Sequence, residues 1–318
     1  MKLIDKIIML VNERKADVRH LPLRSFVQNR ICVLFFVVFL LSTVWAVTCR
    51  ISEVSDDRAL EEQQATLQFV KVTALAESTQ EEPDVEKTMV EDRLPETESL
   101  YEEPVKESVS EIIPEMLPEY EVLYHQNADF IGWLKIPDTV IDYPVMQCME
   151  DENFYLTRDF YQEENRNGCL ILDNDSNAGI GTKQQAYTNG SNPSTNLIIH
   201  GHTMKSGLMF GDLLLYEDKD YGMSHNIICF DSLYEKREYE LIAVFYSQVF
   251  YKWENVFKYY NFFQADTQEA FDDWYRNIKE LSLYDTGVTA EFGDEFITLS
   301  CCAYHVDDGR FVVVGKRR

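Results

Sequence analysis

Three short segments of this chain carry side chains able to do covalent chemistry. Thr298-Leu299-Ser300-Cys301-Cys302 closes an apolar run on two thiols. Asn196-Leu197-Ile198-Ile199-His200-Gly201-His202 closes another on a glycine turn that carries an imidazole. Gly309-Arg310-Phe311-Val312-Val313-Val314-Gly315 opens a third with a guanidinium. A cysteine attacks as its thiolate, and at an ordinary pKa of about 8.5 it is mostly protonated near neutrality, so a neighbouring cation raises the reactive fraction. A histidine supplies that charge and later returns a proton to a leaving amine. Attack on an amide also builds an oxyanion, which an arginine stabilises with a charge that does not titrate away. Cys302, His202 and Arg310 on neighbouring strands would supply nucleophile, proton partner and oxyanion stabiliser.

Two adjacent thiols compete for the first role. Successive side chains of a strand point to opposite faces, so only one of them can face a groove. Register with Ser300 and Arg310 favours Cys302, given the family resemblance drawn below. His200, two residues before His202, reads as a groove-wall or surface residue rather than a second base. His200, His202, Cys301 and Cys302 are all of zinc-ligand type, but adjacent cysteines rarely both reach one tetrahedral ion and the C-x2-C spacing is missing. The spacing therefore argues against a zinc site, and the family resemblance drawn below implies no metal or organic cofactor. Cys148, Cys169 and Cys229 lie in or beside apolar runs and read as small buried hydrophobes, with a disulfide among them left open. Asp307 and Asp308 read as a solvated turn between the Cys302 and Arg310 segments.

The elements that must hold these groups are mostly strands. Strand character recurs at residues 132–136, 141–146, 169–173, 196–200, 226–230, 238–247, 295–301 and 311–315, bounded by Gly, Pro, Asn and Asp. Short strands with few helices between them predict a mainly β, antiparallel or mixed barrel. A short helix is expected over residues 121–127 and another over 208–216. A third runs from about Thr267 to Leu281, where Phe271, Trp274, Tyr275 and Ile278 fall at i, i+3, i+4 and i+7 behind an Asp266-x-x-Glu269 capping box.

The three segments together resemble the sortase family. Thr298 to Cys302 is similar to the TLxTC signature of sortases, with Cys301 where the family usually has Thr. Gly201-His202 resembles the strand-end Gly-His of their catalytic histidine, and Arg310 resembles the arginine that heads their last strand. The run from Asp129 to Gln147, then Asn153 to Leu156 and Asn167 to Asp173, resembles the opening strands of class B sortases, as does a helix between the His and Cys strands. This resemblance covers about residues 120 to 318. It implies an eight-stranded sortase barrel and a cysteine transpeptidase that cleaves an LPxTG- or NPxTN-like sorting signal after Thr through a Cys302 thioester. A peptidoglycan precursor or cross-bridge amine would then resolve the thioester, joining a secreted protein to the cell wall. By the same analogy Ser300 and the backbone N–H of Ala303 assist substrate or oxyanion binding. A pilus-type sortase polymerising pilin subunits, an extracellular cysteine endopeptidase and a non-enzymatic wall-binding protein are the alternatives.

The rest of the chain speaks to where such a head would work. Ile31 to Cys49 is about 19 residues without a charge, enough to cross a hydrocarbon core as a helix. Lys2, Lys6, Arg14, Lys15, Arg19, Arg24 and Arg30 precede it, against Asp5, Glu13 and Asp17, which places residues 1–30 in the cytoplasm and the remainder outside. Residues 50–119 are rich in Glu and Asp and read as an extended acidic stalk, although Leu60, Leu67 and Val70 allow a short helix over residues 57–75. The catalytic head is expected from residue 120 to 318. A formal net charge of -26 excludes nucleic acid as a partner. The 18 Tyr and 19 Phe suit a β-rich core and a peptide-binding surface.

Overall fold

A computed structural model of the chain describes residues 23–79, 114–180 and 192–318. The first 22 residues of the expected basic tail, and residues 80–113 of the expected stalk, lie outside them. The chain forms two units, residues 1–55 and 56–318. Helix α1 (Leu23–Ser78) contributes to both. In the first unit its side chains from Val33 to Val47 are almost all exposed and apolar. Among the described residues it is the one helix long and apolar enough to cross a membrane, with a window of mean hydropathy 2.1.

The second unit is built around eight strands: β1 (Phe130–Lys135), β2 (Asp142–Met146), β3 (Leu170–Leu172), β4 (Asn196–Gly201), β5 (Ile227–Ser232), β6 (Lys236–Gln248), β7 (Phe296–Cys302) and β8 (Gly309–Arg317). They close into a barrel in the order β1-β2-β3-β4-β7-β8-β6-β5. Closure leaves no unpaired edge to template aggregation. Two pairs, β2 with β3 and β4 with β7, are parallel, and the others are antiparallel. Alternation along each strand sends one set of residues, including Leu197, Ile199, Ile297, Leu299 and Val313, into the barrel interior.

The other face of β6, β7 and β8 is covered by α4 (Gln268–Leu281), following α2 (Pro118–Gln126) and α3 (Lys219–Ser224) in the chain. Phe271, Trp274 and Ile278 are its buried stripe, as the spacing predicts. Trp274 stacks on Phe262 with centroids 4.4 Å apart and meets Phe296 edge-on at 4.7 Å. Its cap is Thr267, whose Oγ1 accepts from Ala270 N at 3.2 Å, so the Asp266 capping box is not used. The helix expected over 208–216 is instead a 3-10 segment, Gly211–Glu217. Met209 takes φ 55°, a left-handed conformation that an α-helix cannot include.

Residues 56–78 differ from the expected extended stalk. They are helical and belong to the head. Leu60 and Leu67 are buried against it, Gln64 Nε2 donates to Asp142 O at 2.7 Å, and Gln63 Nε2 donates to Asp159 Oδ2 at 2.9 Å. The Lys71 ammonium lies 4.1 Å from the Trp133 ring, where burial lowers its pKa and the nearby Asp142 carboxylate opposes that shift.

Candidate active site

The last residue of β7 is Cys302, and the strand's own pleat separates it from Cys301. Cys301 is 1% exposed and sits in the barrel core, while Cys302 is only half-buried on the other face. Burial pushes the Cys301 thiol up to about 12, against smaller downward pulls from a hydrogen bond to Thr203 and from Arg310. A thiol so placed stays protonated and inert.

On one side β7 meets β8 with Cys302 directly opposite Arg310. The Arg310 Nη1 donates to Gly309 O at 3.0 Å and to Asp308 O at 3.3 Å, which ties the guanidinium to the start of its own strand. Asp307 and Asp308 form the exposed turn expected of them, Asp308 with φ 53°. On the other side β7 runs parallel to β4. Their register ends at Gly201 opposite Cys301, so His202 leaves β4 just as Cys302 ends β7. The three residues thus come from three adjacent strands at one end of the barrel, with the sulfur on the middle strand.

The His202 loop is pinned closely. Its Nε2 lies 2.7 Å from Leu156 O. A carbonyl only accepts, so Nε2 carries a proton and Nδ1 is the nitrogen left to exchange one. Phe210 N donates to His202 O at 2.9 Å. Thr203 Oγ1 donates to Cys302 O at 2.6 Å, stitching the histidine loop to the cysteine strand. Gly201 is required here, because a Cβ would come within 2.6 Å of both Phe210 and Leu170. His200 is held apart from this group, its Nε2 3.0 Å from Asp173 Oδ2.

Two expected helpers are otherwise engaged. Ser300 is 1% exposed, and its hydroxyl bonds the Tyr259 hydroxyl at 2.7 Å. Tyr259 is itself buried, which raises its phenol pKa while Arg310 pulls it down. The Ala303 N–H donates to Gly309 O at 2.9 Å and closes the β7–β8 turn, so it is not open to an oxyanion. Among the described residues, Cys49, Cys148, Cys169, Cys229, Cys301 and Cys302 are free thiols. Tyr259, Thr203 and the Leu156 carbonyl are the partners that sequence reasoning missed. Thr203 adjoins His202 in the chain and was within reach, but nothing local marks Tyr259 or Leu156.

No protein-family model matches the chain. It is 34% identical to sortase B of Listeria monocytogenes over 202 residues, covering 62% of this chain and 73% of the relative. A sortase B–substrate complex of Staphylococcus aureus matches with a TM-score of 0.53 at 26% identity, covering 64% of this chain and 86% of that one. A sortase B complexed with triglycine matches with a TM-score of 0.52 at 26% identity, covering 63% and 86%. A mixed eight-stranded barrel that brings Cys, His and Arg from three adjacent strands to one end, and the likeness in sequence, lead to one conclusion: this chain belongs to the sortase B family of cysteine transpeptidases.

Proposed function

We propose that Cys302 is the nucleophile of this transpeptidase, His202 its acid–base partner and Arg310 its oxyanion stabiliser. The observation that carries the assignment is the register: Cys302 pairs with Arg310 on one side, and β4 delivers His202 on the other. Cys302 passes its proton to Nδ1 of His202 and attacks the carbonyl carbon of the scissile peptide. Arg310 turns toward the tetrahedral oxyanion. The C–N bond breaks as His202 protonates the leaving amine, leaving a thioester on Cys302. An acceptor amine then adds to that carbonyl and loses a proton to His202, and the C–S bond breaks to restore the thiol. The Nε2–H bond to Leu156 holds the imidazole in the required tautomer throughout.

The substrate in this reading is a secreted protein bearing an LPxTG- or NPxTN-like sorting signal cleaved after Thr, and the acceptor is a peptidoglycan amine. The substrate and triglycine complexes of other sortase B proteins support both classes. Residues 31–49 anchor the enzyme, residues 1–30 remain cytoplasmic, and the head from residue 56 onward works outside the membrane. Ser300, bonded to Tyr259, positions the end of β7 rather than touching substrate.

The test is peptide cleavage with an amine acceptor. A sorting-signal peptide should be cleaved, triglycine or hydroxylamine should speed turnover and appear in the product, and Cys302→Ala should abolish both. Cleavage that persists in Cys302→Ala would refute the assignment, and product carrying only water in the presence of amine would make the protein an endopeptidase.

A further inference from the structure

The loop after β6 turns apolar side chains away from the protein. Val249, Tyr251, Trp253 and Val256 are exposed, Tyr251 by 65% and Trp253 by 79%. The two rings are stacked, with centroids 4.4 Å apart and planes 6° from parallel, so they form one aromatic plate. The plate is held in place. Tyr251 N donates to Glu254 Oε1 at 2.9 Å, Lys258 Nζ donates to Glu254 O at 2.9 Å, and Phe250 N donates to the Tyr260 hydroxyl at 2.9 Å. Val249 N donates to Asp308 O at 3.0 Å, which joins this loop to the β7–β8 turn. There Tyr304, 87% exposed, and Val306 also face outward. Large exposed aromatic and aliphatic side chains gathered on two joined loops point to something that covers them.

Its place in the fold indicates what. β6, β4 and β7 end, and β8 begins, at this same end of the barrel. Helix segment 56–78 runs toward this end as well. Followed backward along the chain, it passes from Lys71 over Trp133 to Gln64 at Asp142, the start of β2, and then to Leu60. Leu60 lines one small cavity together with Met209, in the loop that follows His202. Beyond Leu60 the chain leads into the long apolar stretch. Trp and Tyr are the side chains favoured where membrane meets water, having an apolar ring body and a polar edge. Residues 249–258 carry Lys252 and Lys258 against Glu254, a local +1 (2 − 1) in a chain of net -26. The neighbouring Asp307 and Asp308 offset that charge, so the attachment is aromatic more than electrostatic.

We propose that the Tyr251–Trp253 plate, flanked by Val249, Val256, Tyr304 and Val306, seats the head on the interfacial layer of a lipid bilayer. Seating there brings the Cys302 end to substrates that are themselves held in the membrane.

Depth-dependent quenching tests this without reference to activity. Trp133 and Trp274 are buried, so with Trp45→Phe the one exposed indole is Trp253. The full chain with that substitution is reconstituted in phosphatidylcholine–phosphatidylglycerol vesicles containing phospholipids brominated at different acyl depths. Shallow bromines should quench its emission, and Trp253→Phe should remove that quenching. Emission indifferent to bromine at every depth would overturn the proposal. A kinetic arm rests on the transpeptidase reading. In Tyr251→Ser/Trp253→Ser the KM for a membrane-held substrate should rise roughly tenfold, as two interfacial anchors are lost. The KM for a soluble peptide with the same signal should not change. An equal rise for both would make the plate a wall of the peptide groove and end the membrane assignment.

Discussion

Cys301 and Cys302 differ by one residue in sequence and by their whole environment in the fold. Because burial lifts the Cys301 thiol to about 12, the folded state resists its ionisation. That contribution is complete below the ordinary thiol pKa and is lost as pH rises through about 12. The denaturation midpoint of Cys301→Ala should therefore fall less than that of the wild type between about pH 8 and about pH 11. Iodoacetamide on the native protein should label Cys302 and spare Cys301, which peptide mapping would read directly. On the Arg310 side, Arg310→Ala should lower kcat by about a hundredfold to a thousandfold, the usual loss for one oxyanion donor. Arg310→Lys should recover little, since a point charge lacks the guanidinium's fork. The residue types and their order along the chain already point to these three groups. What holds them is not visible there, because Tyr259 meets Ser300, and Leu156 meets His202, only after the barrel has closed.

At the scale of elements, the strands from β1 to β8 are legible because each is a short apolar run bounded by turn residues, and α4 because its aromatic stripe repeats at helical spacing. Segment 56–78 reads as stalk for a physical reason. Its many carboxylates mark a solvated face, and two leucines a helical distance apart are too few to announce the buried one. Those two leucines are nevertheless core residues, at 4% and 1% exposed. Leu67→Ala should cost about 2–5 kcal/mol in chemical denaturation, the range for a buried leucine. An exposed apolar side chain on the same helix, such as Val72, should change stability by less than about 0.5 kcal/mol when replaced by Ala. At α4, Thr267→Ala removes the observed cap and should cost about 1 kcal/mol, whereas Asp266→Ala should cost little.

On the scale of the whole molecule, the apolar part of α1 and the net charge of -26 act together. The first is long and apolar enough to cross a membrane, and the second disfavours binding to other polyanions. Alkaline carbonate washing of membranes should leave the full chain in the pellet, and a chain starting at residue 56 should appear in the supernatant. The strand order has a consequence for biosynthesis. Of the eight described strands, the ribosome makes β8 after the other seven, and β8 supplies both the arginine opposite Cys302 and the ladder that joins β7 to β6. On the proposed assignment, a chain that stops before β8 lacks the guanidinium of the working centre. On that assignment the thiol gains its partner guanidinium only once β8 has been made.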